Sequence, residues 1–210
     1  MANQLVQEII KFGKIAGEKG YTPGISGNVS VRCDEGILIT ASGSANGYLE
    51  PEDVVLIDLE GNVAQGSKKA STEKFLHLEF YKKRPDVNSV FHVHSPYLTA
   101  FASSHTALMD GVSPEIIYCF GEIPLADYAL PGSEELVENT VKYFDRHDVV
   151  LLANHGVIVG AKDLKNAYYS METVEAYAQI YLNSMVLGGA KELSQENIED
   201  IYKLRKLMGR

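Results

Sequence analysis

Ser89-Val90-Phe91-His92-Val93-His94-Ser95-Pro96 reads as a strand that runs into a proline and carries two histidines on one side. Side chains alternate across a strand, so positions 92 and 94 share a face. Phe91 and Val93 point the other way and can anchor the strand in a core. A single buried histidine is ordinarily a hydrogen-bonded core residue. Two imidazoles side by side make a poor core and a good start to a metal site, because neutral imidazole nitrogen suits zinc and its neighbours in the transition series. Such a site needs a third and usually a fourth ligand.

Working outward, the apolar run Val149-Val150-Leu151-Leu152-Ala153 reads as a buried strand, and Val157-Ile158-Val159-Gly160 as the next one. Between them, Asn154-His155-Gly156 puts His155 in a tight turn, where function is more common than packing. A carboxylate is harder to choose. The candidate is Glu73, at the start of a helix expected over residues 73–83 that stops before Pro85. Taken alone, Glu73 reads as an exposed acid favoured by the helix dipole. It is not a capping-box glutamate, because Ala70, three residues earlier, has no side-chain oxygen. His77, one turn further along, could be a fifth candidate and reads as structural or as a support behind the ligands. His105 and His147 lie in polar stretches and read as surface residues.

The remaining pattern describes a layered α/β domain over residues 1–210 with a mixed sheet. Leu5, Val6, Ile9, Ile10 and Phe12 form an amphipathic stripe over residues 4–18. Strands are expected at Val29 to Val31, Ile37 to Thr40 and Val54 to Leu59, with turns at Cys33-Asp34-Glu35-Gly36 and Glu60-Gly61-Asn62. Ser95 can cap a short helix with Pro96 at its first position. Glu115 to Phe120 and the segment around Leu125 read as strands. Ser133 begins another helix with Glu134 and Glu135 in its first turn. A long stripe from Leu164 to Met185 closes at Gly188-Gly189, and residues 194–208 are helical again. The absence of regular βαβ alternation argues against a barrel or a doubly wound sheet.

The 210 residues suit one domain with a full core, with 45% hydrophobic and 22% charged residues. A formal charge of -9 argues against a nucleic-acid partner, which would want a basic face. No apolar stretch is long enough for a bilayer, and no signal peptide is present. Cys33 and Cys119 form neither a disulfide framework nor a metal-ligand spacing, which fits a reducing cytoplasm. Three segments are rich in small residues with exposed N–H groups: Gly24-Ile25-Ser26-Gly27-Asn28, Thr40-Ala41-Ser42-Gly43-Ser44 and Ser71-Thr72. Read alone, each is an ordinary turn. Together with a helix start they also supply the convergent donors that a phosphate needs.

Five motifs in order resemble the class II aldolase and adducin-head family, and most closely its L-fuculose-phosphate aldolase branch. They are Gly27-Asn28-Val29-Ser30-Val31-Arg32; Ser71-Thr72-Glu73 with Arg84-Pro85-Asp86-Val87; His92-Val93-His94-Ser95-Pro96; Ile123-Pro124-Leu125-Ala126 with Tyr128-Ala129 and Pro131-Gly132-Ser133-Glu134-Glu135-Leu136; and Asn154-His155-Gly156. The resemblance implies a divalent ion, zinc (or manganese, cobalt or iron), on Glu73, His92, His94 and His155. Glu73 is implied as the catalytic acid and base. Gly27, Asn28, Ser42, Gly43, Ser71 and Thr72 are implied as the phosphate pocket. It further implies a largely antiparallel central sheet covered by helices, and a ketose 1-phosphate substrate cleaved to dihydroxyacetone phosphate and an aldehyde, in a homotetramer. Ile25 departs from the branch's threonine, Met208 from a tyrosine near the C-terminus, and the tail ends at Arg210. Tyr118 is the nearest tyrosine for the aldehyde end. These departures leave the aldehyde partner open. A related 4-epimerase lacks the glutamate, whereas a methylthioribulose-1-phosphate dehydratase keeps all four ligands. A non-catalytic adducin-like module has lost them.

Overall fold

A computed structural model describes residues 2–108 and 110–209. Among the described residues eight strands form one sheet: β1 (Asn28–Cys33), β2 (Gly36–Thr40), β3 (Val54–Ile57), β4 (Val63–Gln65), β5 (Ser89–Val93), β6 (Leu125–Ala126), β7 (Val149–Leu152) and β8 (Gly156–Ala161). Their spatial order is β4-β3-β2-β1-β5-β8-β7-β6. Every pairing is antiparallel except β6 with β7. The helices are α1 (Ala2–Glu18), α2 (Lys74–Lys83), α3 (Pro96–Ser104), α4 (Pro114–Cys119), α5 (Glu134–Phe144), α6 (Leu164–Val186) and α7 (Gln195–Leu207). Among the described residues no helix is long and apolar enough to cross a membrane.

Alternation divides the core into two layers. Val29, Val31, Phe91, Val93, Val157 and Val159 pack on one face against Ile9 and Phe12 of α1, Leu98 of α3 and Met171 of α6. Val90, Val150, Leu152 and Ile158 pack on the other face with Leu76, Phe80 and Tyr81 of α2 and Phe144 of α5. Asn28, Ser30 and His92 belong by alternation to this second face, and all three are buried there. The β1–β5 register pairs Asn28 with His92, and the β5–β8 register pairs His92 with Ile158.

Two expectations fail. Residues 114–119 are α4 and not a strand. The β-branched pair Ile116-Ile117 imitates a strand, but Pro114 fits the first turn of a helix, where its missing N–H costs nothing. Ser95 stands at the N-cap of α3 yet makes no capping bond. Its hydroxyl instead donates to Glu175 of α6 at 2.7 Å, and the Tyr97 and Leu98 N–H groups donate to the same carboxylate at 2.9 Å each. An acid from another helix thereby satisfies the open N-terminus of α3.

Candidate metal centre

The histidines arrive from two places in the sheet. His92 is the fourth residue of β5, and His94 lies just past the strand's end. His155 sits in the turn between β7 and β8, whose Leu152 and Gly156 are paired. Asn154 makes this turn with φ 57°, a left-handed conformation that Asn tolerates better than most residues. Its Oδ1 meets His105 Nε2 at 2.6 Å. Gly156 then lets the strands close, since a Cβ there would lie 2.4 Å from the Val93 carbonyl oxygen and 2.9 Å from His94 Cδ2.

Glu73 takes the N-cap position of α2, one residue before the helix. Its own N–H donates to Ser71 Oγ at 3.2 Å, so its side chain is free to turn inward. His92 Nε2 lies 3.2 Å from His155 Nε2 and 3.0 Å from His94 Nε2. Glu73 reaches the same point, with Oε2 3.2 Å from His92 Nε2 and Oε1 3.3 Å from His155 Nε2. His92 Nδ1 lies 3.0 Å from the Val157 carbonyl oxygen, which only accepts. Nδ1 therefore carries a hydrogen, and in the neutral ring Nε2 keeps its lone pair for a ligand.

These residues fit a metal ion. Three imidazole nitrogens that close together share no set of mutual hydrogen bonds. Two nitrogens on one tetrahedral zinc, at about 2.0–2.1 Å each, are about 3.3 Å apart, close to the spacing found here. Glu73 Oε1 is buried and makes no hydrogen bond. The local electrostatics suit a cation. Burial and the neighbouring His92 and His155 hold the His94 ring down to about 3, and burial and His92 hold His155 down to about 4. Burial pushes Glu73 up, but His92, His155 and the Asn28 amide outweigh it, and its carboxyl lies below the usual range.

The residues expected to hold phosphate lie at the same end of the sheet. Gly27 adopts φ 72°, and a Cβ there would come within 2.6 Å of the His92 carbonyl oxygen. The loop after β2 joins the segment before α2 through Ser42 N–H to Lys69 O at 2.9 Å and Ser71 N–H to Thr40 O at 3.2 Å. Ser42, Gly43 and Thr72 are exposed, while Ser71 is buried. The Asn28 amide turns to Glu73 Oε2, to which Nδ2 donates at 2.8 Å. Tyr118 lies on α4, where its carbonyl accepts from Arg205 Nη1 at 2.7 Å. Its neighbours Cys119 and Phe120 line a cavity of about 680 Å³ together with Arg84 and Gly160, at the opposite end of the sheet. His77 is fully buried, and His105 is exposed. Sequence reasoning missed the parts played by Asn28 and Glu175. For Glu175 a signal existed: it falls on the stripe Met171, Val174, Ala178, an acid at a position that should be apolar.

The family model for the class II aldolase and adducin N-terminal domain matches residues 7–182. A 5-deoxy-D-ribulose 1-phosphate aldolase of Bacillus thuringiensis serovar kurstaki is 37% identical over 199 residues, covering 94% of this chain and 93% of its own. A 3-oxo-tetronate 4-phosphate decarboxylase of Haemophilus influenzae is 34% identical over 178 residues, covering 82% of this chain and 84% of its own. The solved structure of an L-fuculose 1-phosphate aldolase superposes with a TM-score of 0.88 at 34% identity, covering 97% of this chain and 96% of that one.

Proposed function

The chain belongs to the class II aldolase and adducin N-terminal domain family, and from that premise we propose that it is a metal-dependent aldolase. Its substrate is a ketose 1-phosphate, which it cleaves to dihydroxyacetone phosphate and an aldehyde. One observation carries this reading: Glu73 and three histidine Nε2 atoms converge on one point, and Glu73 Oε1 has no hydrogen bond there. His92, His94 and His155 hold zinc, or manganese, cobalt or iron, with Glu73 as an exchangeable fourth ligand. When bound, the ion is a Lewis acid for the negative charge that develops on the substrate oxygens.

This chain's residues supply the rest. In the cleavage direction the C4 hydroxyl gives up its proton, the C3–C4 bond breaks, and C3 gains a proton. Glu73 is ionised at rest, so it acts first as base and then as acid: it takes up the proton released from the C4 hydroxyl and passes it to C3, with no net proton gained or lost. The phosphate is bound by the N–H groups of Gly27 and Gly43, the hydroxyls of Ser42, Ser71 and Thr72, the second amide hydrogen of Asn28, and the start of α2. A cytoplasmic setting agrees with the free thiols Cys33 and Cys119. A homotetramer agrees with the apolar side chains left exposed on α6, at its cap and on α7: Ile180, Val186, Leu187 and Leu207. Sedimentation at working concentration tests the assembly, and a monomer would remove it.

Similarity to the decarboxylase favours a second reading. Loss of CO2 from a 3-oxo-tetronate 4-phosphate leaves the same three-carbon carbanion, which also needs a proton from Glu73. Release of dihydroxyacetone phosphate therefore does not separate the two. The deciding experiment incubates the zinc-loaded protein with a panel of ketose 1-phosphates and with 3-oxo-tetronate 4-phosphate, assaying aldehyde and CO2 separately. Aldehyde release supports the aldolase; CO2 alone overturns it in favour of the second reading. In the aldolase assay, a metal-loaded Glu73→Gln protein is expected to lose roughly 10²–10⁴-fold in turnover. Near-normal turnover at full metal content would refute the role of Glu73.

A further inference from the structure

Behind Glu73 runs a line of buried polar side chains. Asn28 Nδ2 donates to Glu73 Oε2 at 2.8 Å, and Asn28 Oδ1 lies 2.5 Å from His77 Nε2. His77 Nδ1 lies 2.7 Å from Ser30 Oγ, and Ser30 Oγ lies 2.7 Å from the Tyr81 hydroxyl. Asn28, Ser30, His77 and Tyr81 are 5%, 0%, 0% and 1% exposed, so bulk water cannot substitute for a missing partner.

The chemistry of the groups fixes the direction of every bond. An ionised carboxylate only accepts, so the Asn28 NH2 must face Glu73 and its carbonyl oxygen must face His77. A carbonyl only accepts, so His77 must carry its hydrogen on Nε2. The neutral ring then accepts at Nδ1, and Ser30 spends its single hydrogen there. The Tyr81 hydroxyl must therefore donate to Ser30. Burial keeps both ends in the required form: it raises the Tyr81 phenol above its ordinary range, and burial with the neighbouring His92 holds the His77 ring down to about 3. Each donor has one acceptor, and no alternative orientation satisfies all four bonds.

We propose that His77 is a positioning residue for Glu73: through Asn28 it clamps Oε2 and leaves Oε1 as the oxygen that exchanges protons with substrate. The catalytic consequence rests on the aldolase reading, whereas the direction of the line does not. Both oxygens reach the histidines, Oε2 at 3.2 Å from His92 Nε2 and Oε1 at 3.3 Å from His155 Nε2, but only Oε1 has no hydrogen bond. A carboxylate held by one oxygen cannot swing freely, and a near-attack geometry is sensitive to such freedom.

The experiment has two parts. First, the metal-free full chain is labelled with ¹⁵N-histidine, and imidazole tautomers are read from long-range NMR correlations, with His77 identified by its loss in a His77→Gln protein. The expected result is a neutral Nε2–H tautomer at pH 7; an Nδ1–H tautomer overturns the proposal. This part needs no activity and no variant that folds poorly. Second, kcat and KM are measured for metal-loaded His77→Gln and His77→Phe. Gln retains an N–H donor for Asn28 and Phe does not. The Phe protein is expected to lose about 10–100-fold in kcat at unchanged metal content and KM, the usual effect of removing an outer partner, while Gln restores most of it. Equal kcat in wild-type, Gln and Phe proteins would overturn the positioning role. Absence of aldolase turnover in the wild-type protein would reject the function and leave the tautomer result standing.

Discussion

Gly156 shows how little room the metal centre leaves. A single methyl group at this position has to displace the Val93 carbonyl or the His94 ring, since it would lie 2.4 Å from one and 2.9 Å from the other. Gly156→Ala is expected to cost about 1–3 kcal/mol in stability, as overpacking does, and to weaken zinc binding through His94. Urea unfolding and metal titration check both, and an unchanged affinity would show that His94 yields without loss. The histidines themselves were legible in the sequence, because strand alternation is local: residues 92 and 94 must share a face. The service of Asn28 was not. It depends on β1 and α2 meeting 45 residues apart, and a sequence read segment by segment contains no trace of that contact.

Glu175 acts between two helices. It receives three donors at the start of α3, two of which, the Tyr97 and Leu98 N–H groups, have no partner within their own helix. Glu175→Ala strands these donors, one buried and one half-buried, and is expected to destabilise the protein by about 1–3 kcal/mol. Because α3 starts two residues after His94, zinc affinity should fall as well. A variant with wild-type unfolding midpoint would show that the carboxylate does not hold the helix. At this scale the sequence was read well where a long apolar stripe governs, as in α1 and α6, and where a terminal signal does, as with Pro85 after α2 and Ser133 before α5. It was misread at α4, where six residues are too few for a 3.6-residue period to outvote two β-branched isoleucines. It also passed over β4, three exposed residues paired with β3 through an irregular register.

At the level of the whole molecule, the buried histidines make stability depend on acidity. His77 and His94 are held down to about 3 and His155 to about 4, from an ordinary value of 6.5. A base whose folded value is depressed binds fewer protons folded than unfolded. Stability is therefore full above about pH 6.5 and falls as pH drops through the range between 6.5 and 3–4, by up to about 1.4 kcal/mol per pH unit for each such ring. Metal-free protein should show a urea midpoint that declines between pH 7 and pH 5, and a flat midpoint would mean that the rings open to solvent. The layered architecture was legible from the mixture of strand and helix patterns, while the strand order was not, because β5 slots between β1 and β8 by contacts that no neighbouring residues announce. That order has a practical outcome at its margins. The sheet finishes on β4, three residues long, and on β6, two residues long. Edges this short offer a second chain almost no ladder to extend, so strand-by-strand growth into fibres is blocked by the fold's own outline, and concentrated solutions should resist amyloid-type aggregation.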